Sequence, residues 1–227
     1  MYALSLSNVS YDYKGKYQLV HALRNVSCHF ENGTCYAVVG RSGSGKTTLL
    51  SLLAGLDIPT SGDVLVEGES TRKLDRDKYR REDAAVIYQA FQLFPLLNAL
   101  ENAAYPMELK GVRPTRAREQ AAKCLQEVGI TEEKFRHYPQ QLSGGEQQRV
   151  AIARAIAAGG KILLADEPTG NLDGENAEIV IKLLRALAHE KQYCVIVVTH
   201  DMGLAEQMDY VLHMRDGAFF QETKASQ

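Results

Sequence analysis

The 227-residue sequence contains no apolar run long enough to cross a membrane as a helix. Its longest apolar runs, residues 48–56 and 194–198, fall well short of the about 20 residues that a spanning helix needs. The opening residues, MYALSLSNVSYDY, lack both the basic and the apolar region of a secretory signal. We therefore expect a cytoplasmic protein.

Cysteine is scarce, and Cys28, Cys35, Cys124 and Cys194 form no CxxC pair. This spacing predicts neither a zinc site nor a disulfide framework. We interpret the four residues as reduced thiols in a reducing compartment.

Neither sign of charge is in excess, because 26 basic residues face 28 acidic ones. A dedicated nucleic-acid-binding protein usually shows a basic excess, so we expect no nucleic-acid partner. One basic cluster is interleaved with acidic residues, and we interpret it as a solvated face. The cluster consists of Arg72, Lys73, Arg76, Lys78, Arg80 and Arg81.

Buried strands and helices are predicted to alternate along the chain. Residues 34–39, 161–165 and 193–198 are short, continuous apolar runs, typical of strands buried on both faces of a parallel sheet. Between the last two runs, an apolar stripe at helical spacing predicts a helix. The stripe consists of Val180, Leu183, Leu184 and Leu187. This order predicts an α/β fold with a right-handed crossover.

The first third and the middle of the chain depart from this alternation. Residues 4–13 and 22–30 have β-type patterns and predict an antiparallel edge layer. Residues 89–158 contain little β-branched alternation and predict an inserted helical subdomain. We predict one domain, in which residues 1–88 and 159–227 form the core and its β layer.

A glycine-rich turn follows the first buried run and fits the pattern GxxxxGK[ST]. It consists of Gly40, Arg41, Ser42, Gly43, Ser44, Gly45, Lys46 and Thr47, and Thr48 follows it. Glycines let the backbone point several N–H groups at one anion, and the next helix adds its positive end. Lys46 adds a charge for the β- and γ-phosphates, and the Thr47 hydroxyl can ligate Mg²⁺. The motif predicts nucleotide phosphate binding.

An acidic pair follows the apolar run 161–165. Asp166, at the strand tip, is expected to hold Mg²⁺ beside the phosphate loop. Glu167 would point elsewhere, toward an attacking water, as a general base. Acidic pairs in turns after strands are common, so the phosphate loop upstream is what favours a functional pair.

A second glycine-rich helix start lies in the segment LSGGEQQR, residues 142–149. Ser143 is a good N-cap, and Gly144 and Gly145, followed by Glu146, expose backbone N–H groups that can bind an anion. The alternative is a plain capping turn. Because one nucleotide needs only one phosphate cradle, the second predicts contact with a nucleotide held by another copy.

Together these motifs resemble those of the nucleotide-binding subunits of ATP-binding cassette (ABC) transporters, over essentially the whole chain. LSGGE shortly before LLADEPTGNLD is not shared by kinases, small GTPases or helicases. The segments PTSGDV, ALENAAYPM and LSGGEQQRVAIARA look like the bacterial branch of lipoprotein-releasing, macrolide-export and antimicrobial-peptide-resistance ATPases.

The resemblance implies further site residues. Tyr13 looks like the aromatic residue that stacks on adenine, with Tyr11 and Tyr17 as nearby alternatives. Tyrosine at any of these positions would supply the required ring.

Three other residues take roles from the resemblance alone. Gln89 resembles the loop glutamine that reaches Mg²⁺ and the attacking water. Asp173 resembles the loop aspartate at the dimer seam, and His200 the switch histidine that contacts the γ-phosphate.

The implied function is an ATPase subunit that uses ATP and Mg²⁺ and has a P-loop core, an antiparallel β layer and a helical subdomain. Two copies would sandwich two nucleotides head to tail and drive a separate membrane permease. The subunit would then lie peripherally on the inner face of the cell membrane. Residues 91–107 include the apolar stretch FQLFPLLNAL, which is either the permease groove or core packing.

A second hypothesis keeps the ATPase and removes transport: dimerisation would signal mechanically through a membrane protein, as in the cell-division relatives. Soluble ABC proteins of translation or DNA repair do not fit, because they carry two cassettes or a long coiled coil between motifs. A P-loop kinase does not fit either, because LSGGE and His200 would have no role.

Overall fold

The computed structural model describes residues 2–15 and 18–224. Its strands are β1 (Leu4–Lys14), β2 (Leu19–Phe30), β3 (Thr34–Val39), β4 (Ser61–Val66), β5 (Glu69–Ser70), β6 (Ala84–Tyr88), β7 (Ile162–Asp166), β8 (Cys194–Thr199), β9 (Tyr210–Arg215) and β10 (Ala218–Lys224). One sheet has the order β2-β1-β4-β5 and is antiparallel. The other has the order β10-β9-β3-β8-β7-β6 and is parallel except for β10.

Seven α-helices connect these strands in the described part of the chain. They are α1 (Lys46–Leu53), α2 (Arg76–Glu82), α3 (Ala99–Leu109), α4 (Pro114–Glu127), α5 (Gly144–Ala158), α6 (Gly174–His189) and α7 (Met202–Ala205). None of the described helices is both long enough and apolar enough to span a membrane. The α/β fold and the antiparallel edge layer predicted from the sequence are confirmed.

The central parallel strands are buried on both faces, as their continuous apolar runs predict. Successive side chains of a strand point to opposite faces. Val38 and Val198 therefore join the apolar cluster that contains α1 and the antiparallel sheet. Ala37 and Val197 join the cluster that contains α6 and the helices of the chain's middle. Helix α1 is thus enclosed between the two sheets.

The middle of the chain is helical. Helices α3, α4 and α5 follow β6 and pack on one another before the chain returns to β7, the neighbour of β6 in the sheet. Small buried residues, including Ala103, Ala121 and Ala153, line their contacts. Residues 89–158 remain the proposed limits of a helical subdomain.

The basic cluster is only partly the solvated face that its charge pattern suggests. Arg72 Nη2 donates to Pro59 O at 2.5 Å, and Arg80 Nη1 donates to Gly55 O at 2.5 Å. Arg76 Nη1 reaches the same Gly55 carbonyl at 3.4 Å. The prediction is wrong for Arg76 and Arg80, which are half-buried, because the Gly55 carbonyl just past the end of α1 has no helical partner and attracts cationic donors. Arg72 is exposed, in agreement with the prediction.

A buried asparagine fixes the loop that precedes α3. Asn102 is fully buried, and its Nδ2 donates to Leu97 O at 2.8 Å and to Phe94 O at 3.1 Å. Its Oδ1 accepts from Phe94 N at 2.8 Å. One side chain therefore satisfies both backbone polar groups of Phe94.

We expect Asn102→Ala to lower the free energy of unfolding by about 2–3 kcal/mol, since it leaves partly buried backbone groups without partners. Urea unfolding checks this. Gln126→Ala is the control: Gln126 is exposed and bonds only Glu132, so the expected loss is at most about 0.5 kcal/mol. Equal losses in the two variants would contradict the role of Asn102.

Candidate active site

The phosphate loop, the acidic pair, Tyr13, Gln89 and His200 meet in one cleft of about 820 Å³ at the carboxyl ends of the parallel strands, whereas residues 143–146 and Asp173 do not line it. Because neighbouring strands of a parallel sheet end at the same edge, residues that follow them come together there. The predicted residues that line the cleft are Tyr13, Arg41, Ser42, Gly43, Gly45, Lys46, Thr47, Thr48, Gln89, Asp166, Glu167 and His200. Gly40 and Ser44 complete the phosphate loop and line an adjacent cavity.

The phosphate loop, residues 40–47, wraps around the ammonium group of its own Lys46. Lys46 Nζ donates to Gly40 O at 2.7 Å and to Arg41 O at 3.2 Å. The backbone can close in this way only with glycine at position 45, where φ is +105° and a Cβ would lie 2.5 Å from Ala22 O. Phosphate oxygens can replace these carbonyls as acceptors for the ammonium.

Asp166 and Glu167 are adjacent but face different surroundings. Asp166 ends β7, and its burial, followed by the charge of Glu167, raises the pKa of its carboxyl while Lys46 opposes the shift. Glu167 has a φ of +47°, in the left-handed region that residues other than glycine seldom adopt. This backbone turn breaks the strand alternation of side chains at Glu167, and both carboxylates line the cleft.

The Glu167 carboxylate is held by two residues at the end of β8. Thr199 Oγ1 donates to Glu167 Oε2 at 3.0 Å, and a hydrogen bond of 2.7 Å joins Glu167 Oε1 to His200 Nδ1. The Glu167 side chain is 16% exposed, whereas that of His200 is 71% exposed. A carboxylate and an imidazole thus stand side by side at the cleft, an arrangement suited to accepting a proton from water.

Gln89 follows β6 and is tied to the loop that follows Glu167. Gln89 Nε2 donates to Asn171 Oδ1 at 3.3 Å, and Asn171 Nδ2 donates to Gln89 O at 3.0 Å. A Cβ at Gly170 would lie 2.8 Å from Gln89 Nε2, so the two segments touch. The two hydrogen bonds tie Gln89 to the loop that follows Glu167 while it lines the cleft.

Among the tyrosines that the structure describes, Tyr13 lines the cleft. Its hydroxyl lies 3.3 Å from Thr48 Oγ1 in a hydrogen bond, and 46% of the residue is exposed. Tyr11 instead packs against the core and touches the Tyr13 ring edge-on, with 4.9 Å between ring centroids. Tyr17 lies outside the described residues.

The signature turn, residues 143–146, is a capping box at the start of α5. Ser143 Oγ accepts from Glu146 N at 3.3 Å, and Glu146 Oε2 accepts from Ser143 N at 2.9 Å. Burial alone would raise the pKa of Glu146, but Lys134 and the Ser143 N–H hold it below its usual range. The capping turn considered as the alternative is therefore present, and it leaves the glycine N–H groups of Gly144 and Gly145 at the helix start.

Asp173 caps α6, and the cap adjoins the signature turn. Asp173 Oδ1 accepts from Asn176 N at 2.8 Å, and these bonds to Asn176 hold the pKa of Asp173 below its usual range. A Cβ at Gly145 would lie 2.1 Å from Asn176 Oδ1, which also accepts from Arg149 Nη1 at 3.2 Å. Glycine at 145 thus lets α5 and α6 begin in direct contact.

The oxygen atoms at the cleft fit a magnesium ion. Thr47, Gln89 and Asp166 line the same cleft and offer a hydroxyl, an amide and a carboxylate. A cation there would offset the burial that raises the pKa of Asp166. Among the described residues no group of three or more His, Cys, Asp or Glu could hold a metal, but Mg²⁺ bound with phosphates needs only one or two carboxylates.

Sequence reasoning missed Asn171, Asn176 and Thr199. Each holds a predicted site residue in place: Asn171 holds Gln89, Asn176 contacts Asp173, and Thr199 contacts Glu167. Asn171 lies in GNLD and Thr199 in VTHD, so their position beside a motif was the available signal. Asn176 offered no such signal.

The sequence of this chain is similar to those of known proteins. The ABC transporter family profile matches residues 23–170. An uncharacterized ABC transporter ATP-binding protein of Methanocaldococcus jannaschii, MJ0796, is 40% identical over 227 residues, 97% of each chain. The lipoprotein-releasing system ATP-binding protein LolD of Idiomarina loihiensis is 43% identical over 222 residues, 96% of this chain and 97% of its own.

A solved structure gives the same result. The dimeric, post-hydrolysis structure of the ATP-binding cassette MJ0796, bound to ADP and Pi, has a TM-score of 0.90 at 38% identity and covers 99% of both chains. A parallel sheet with a phosphate loop and an acidic strand end is typical of proteins that hydrolyse nucleoside triphosphates. The extent of these matches shows that the chain belongs to the ABC transporter family, as an ATP-binding subunit with ATPase activity.

We expect Lys46→Ala to weaken ATP binding severely. Each charge-assisted hydrogen bond to phosphate contributes about 1.5–3 kcal/mol, so losing one alone costs at least about tenfold in affinity. Titration with a fluorescent ATP analogue measures the effect. Lys182→Ala is the control, because that side chain is 71% exposed and pairs only with Glu178. Wild-type affinity in Lys46→Ala would contradict the assignment of the phosphate loop.

Proposed function

We propose that two copies of this chain form a head-to-tail dimer with two Mg·ATP in the interface. The observation that carries the proposal is the separation of two anion-binding turns within one chain. The phosphate loop lines the cleft, whereas residues 143–145 do not, although both turns present N–H groups at a helix start. Each nucleotide would rest on residues 40–48 of one copy and be capped by 143–145 of the other.

Two further observations support the head-to-tail arrangement. Solved structures of MJ0796, which this chain resembles, are dimeric. The N-cap at Asp173 keeps the start of α6 in contact with the signature turn, so both would reach the dimer seam together. ATP would close the dimer because it binds the closed state better than the open one.

Within each composite site, Tyr13 stacks on adenine, and Lys46 binds the β- and γ-phosphates together with the N–H groups of the loop. Thr47, Asp166 and Gln89 would hold Mg²⁺, and its charge would offset that of the phosphates. The support is their common cleft and the matching oxygen donors.

Hydrolysis joins a water oxygen to the γ-phosphorus as the bond to the β–γ bridging oxygen breaks, which yields ADP and phosphate. Glu167 accepts the proton of that water, and His200, hydrogen-bonded to it at 2.7 Å, contacts the γ-phosphate. Gln89, fixed by Asn171, orients the water. The base role falls to Glu167 because the Asp166 carboxyl lies beside Lys46 and the metal-binding oxygens.

The partner that uses this cycle is a membrane permease carried on a separate chain. Its docking surface is a groove of about 260 Å³ between core and helical segment, lined by apolar residues that include Leu56, Tyr88 and Leu109. Arg154, which lines this groove, donates to Gln92 O at 2.7 Å and so ties the groove to the apolar stretch, in which Leu96 is 86% exposed. This exposure favours the groove over core packing as the interpretation of the apolar stretch in 91–107. The subunit would then lie peripherally on the inner membrane face.

Transport is favoured over purely mechanical signalling. The 43% identity to a lipoprotein-releasing system ATPase over nearly the full chain supports a role beside a permease that moves a substrate. The phosphate loop, the acidic pair and the signature turn are common to both hypotheses and do not separate them.

Glu167→Gln tests the base. Glutamine keeps the size and a hydrogen bond but accepts no proton, so turnover should fall by about 10²–10⁴-fold. ATP binding should survive, and the loss of a negative charge beside the phosphates should favour the closed dimer. ATPase assays and size-exclusion chromatography with Mg·ATP measure both effects.

The control for this test is Glu119→Gln, which removes the same charge from the exposed face of α4. Near-normal hydrolysis by Glu167→Gln would assign the base elsewhere, with His200 the first candidate. Lost ATP binding would instead assign Glu167 to the metal site.

Two substitutions at Ser143 test the second cradle. Ser143→Arg places a bulky cation at the partner's γ-phosphate, and hydrolysis should stop while ATP binding continues. Ser143→Asp keeps a side chain that caps α5 as well as serine does, yet it sets a negative charge against the phosphate. If Ser143 acted only as a helix cap, Ser143→Asp would hydrolyse ATP at the normal rate. A normal ATPase rate together with an unchanged unfolding temperature would therefore exclude a site shared between two copies.

A further inference from the structure

The two-residue turn between β9 and β10 lies directly against the phosphate loop. Gly217 N donates to Ser44 O at 3.0 Å, and Gly217 O accepts from Arg24 N at 2.8 Å. Gly217 therefore connects the phosphate loop to β2 through both of its backbone polar groups. None of the nucleotide-binding motifs includes this turn, and the family match ends at residue 170.

The contact has no space for a side chain. Gly217 has a φ of +80°, and a Cβ there would lie 2.7 Å from Ala22 O and 3.2 Å from Leu23 Cα. The same Ala22 carbonyl would lie 2.5 Å from a Cβ at Gly45. One carbonyl of β2 is thus packed between a glycine of the phosphate loop and the glycine of the turn.

The hydrogen bond to Ser44 fixes the direction of a group that faces the nucleotide. The C=O of Ser44 and the N–H of Gly45 belong to one planar trans peptide and point in opposite directions. Gly217 N–H holds the carbonyl, so it also sets the angle of the Gly45 N–H at the start of α1. Gly45 lines the cleft.

We infer that Gly217 is a positioning residue for ATP binding, acting through the Ser44–Gly45 peptide. A side chain at 217 would push the turn off β2, and the bond to Ser44 would lengthen or break. The phosphate loop would then lose the orientation of one N–H group. Asp166 and Glu167, at the end of β7, would keep theirs, because β3 and β8 separate β7 from β9 in the sheet. The inference rests on ATP binding by the phosphate loop.

The chain supplies a matched control. The turn between β4 and β5 has Glu67 at φ 49° and Gly68 at φ 88°, and the turn between β9 and β10 has Asp216 at φ 49° and Gly217 at φ 80°. A Cβ at Gly68 would meet nothing within 4 Å. Gly68→Ala therefore carries the conformational cost of a positive φ without the contact.

The experiment compares Gly217→Ala with Gly68→Ala by ATP-analogue titration, steady-state ATPase kinetics and thermal unfolding. We expect Gly217→Ala to raise the Kd and KM for ATP by about tenfold to about a hundredfold, with kcat within about twofold of wild type. Gly68→Ala should leave Kd, KM and kcat within about twofold, although both variants lose stability.

Gly217→Asn keeps the test decisive if the alanine variant does not fold. Asparagine accepts the left-handed conformation more readily but carries the same Cβ, so it should fold better and still bind ATP weakly. A Kd for both Gly217 variants equal to that of Gly68→Ala would overturn the inference. Lys46→Ala distinguishes failure of the inference about Gly217 from failure of the proposed function. If Lys46→Ala also bound ATP normally, the assignment of the phosphate loop itself would fail.

Discussion

The buried ammonium of Lys46 is the constraint on which the rest of the site depends. A charged amine away from water is costly unless acceptors surround it, and Gly40 O and Arg41 O supply them. Those carbonyls face inward because the backbone turns tightly after β3, and α1 carries Lys46 in its first turn. Helix α1 is in turn enclosed between two sheets. When ATP binds, its phosphate oxygens can therefore replace these carbonyl oxygens as acceptors for the Lys46 ammonium. The shape of the loop is already set before they do so.

The acidic pair shows how one backbone torsion separates two chemical tasks. Adjacent strand residues would place their side chains on opposite faces of the sheet, and the left-handed turn at Glu167 changes the direction of the second one. The strain of that turn is balanced by hydrogen bonds from Thr199, the last residue of β8, and from His200, which follows it. Two carboxylates thus share one edge of a sheet without competing for the same partner.

The sequence predicted the features that depend on local pattern. Continuous apolar runs identified the parallel strands, and the glycine spacing identified the phosphate loop, because both are set by neighbours in the chain. The pairings of Gln89 with Asn171 and of Gly145 with Asn176 join residues far apart in sequence, and no periodicity encodes them. The arginines of α2 were misjudged for the same reason, since their carbonyl partners belong to the end of α1.

The contact between Gly145 and Asn176 has a mechanical consequence. Helix α5 packs mainly on α3 and α4 and also touches β6 and α6, whereas α6 packs mainly against β3 and β8. A rotation of the helical segment about the core must therefore slide the start of α5 past the Asn176 amide, which also bonds Arg149 and Asp173. Closely packed contacts of this kind switch between discrete arrangements and do not deform smoothly. The helical segment of α3, α4 and α5 should therefore resist small torques and then rotate in one step. Its rotation relative to the core would have a threshold.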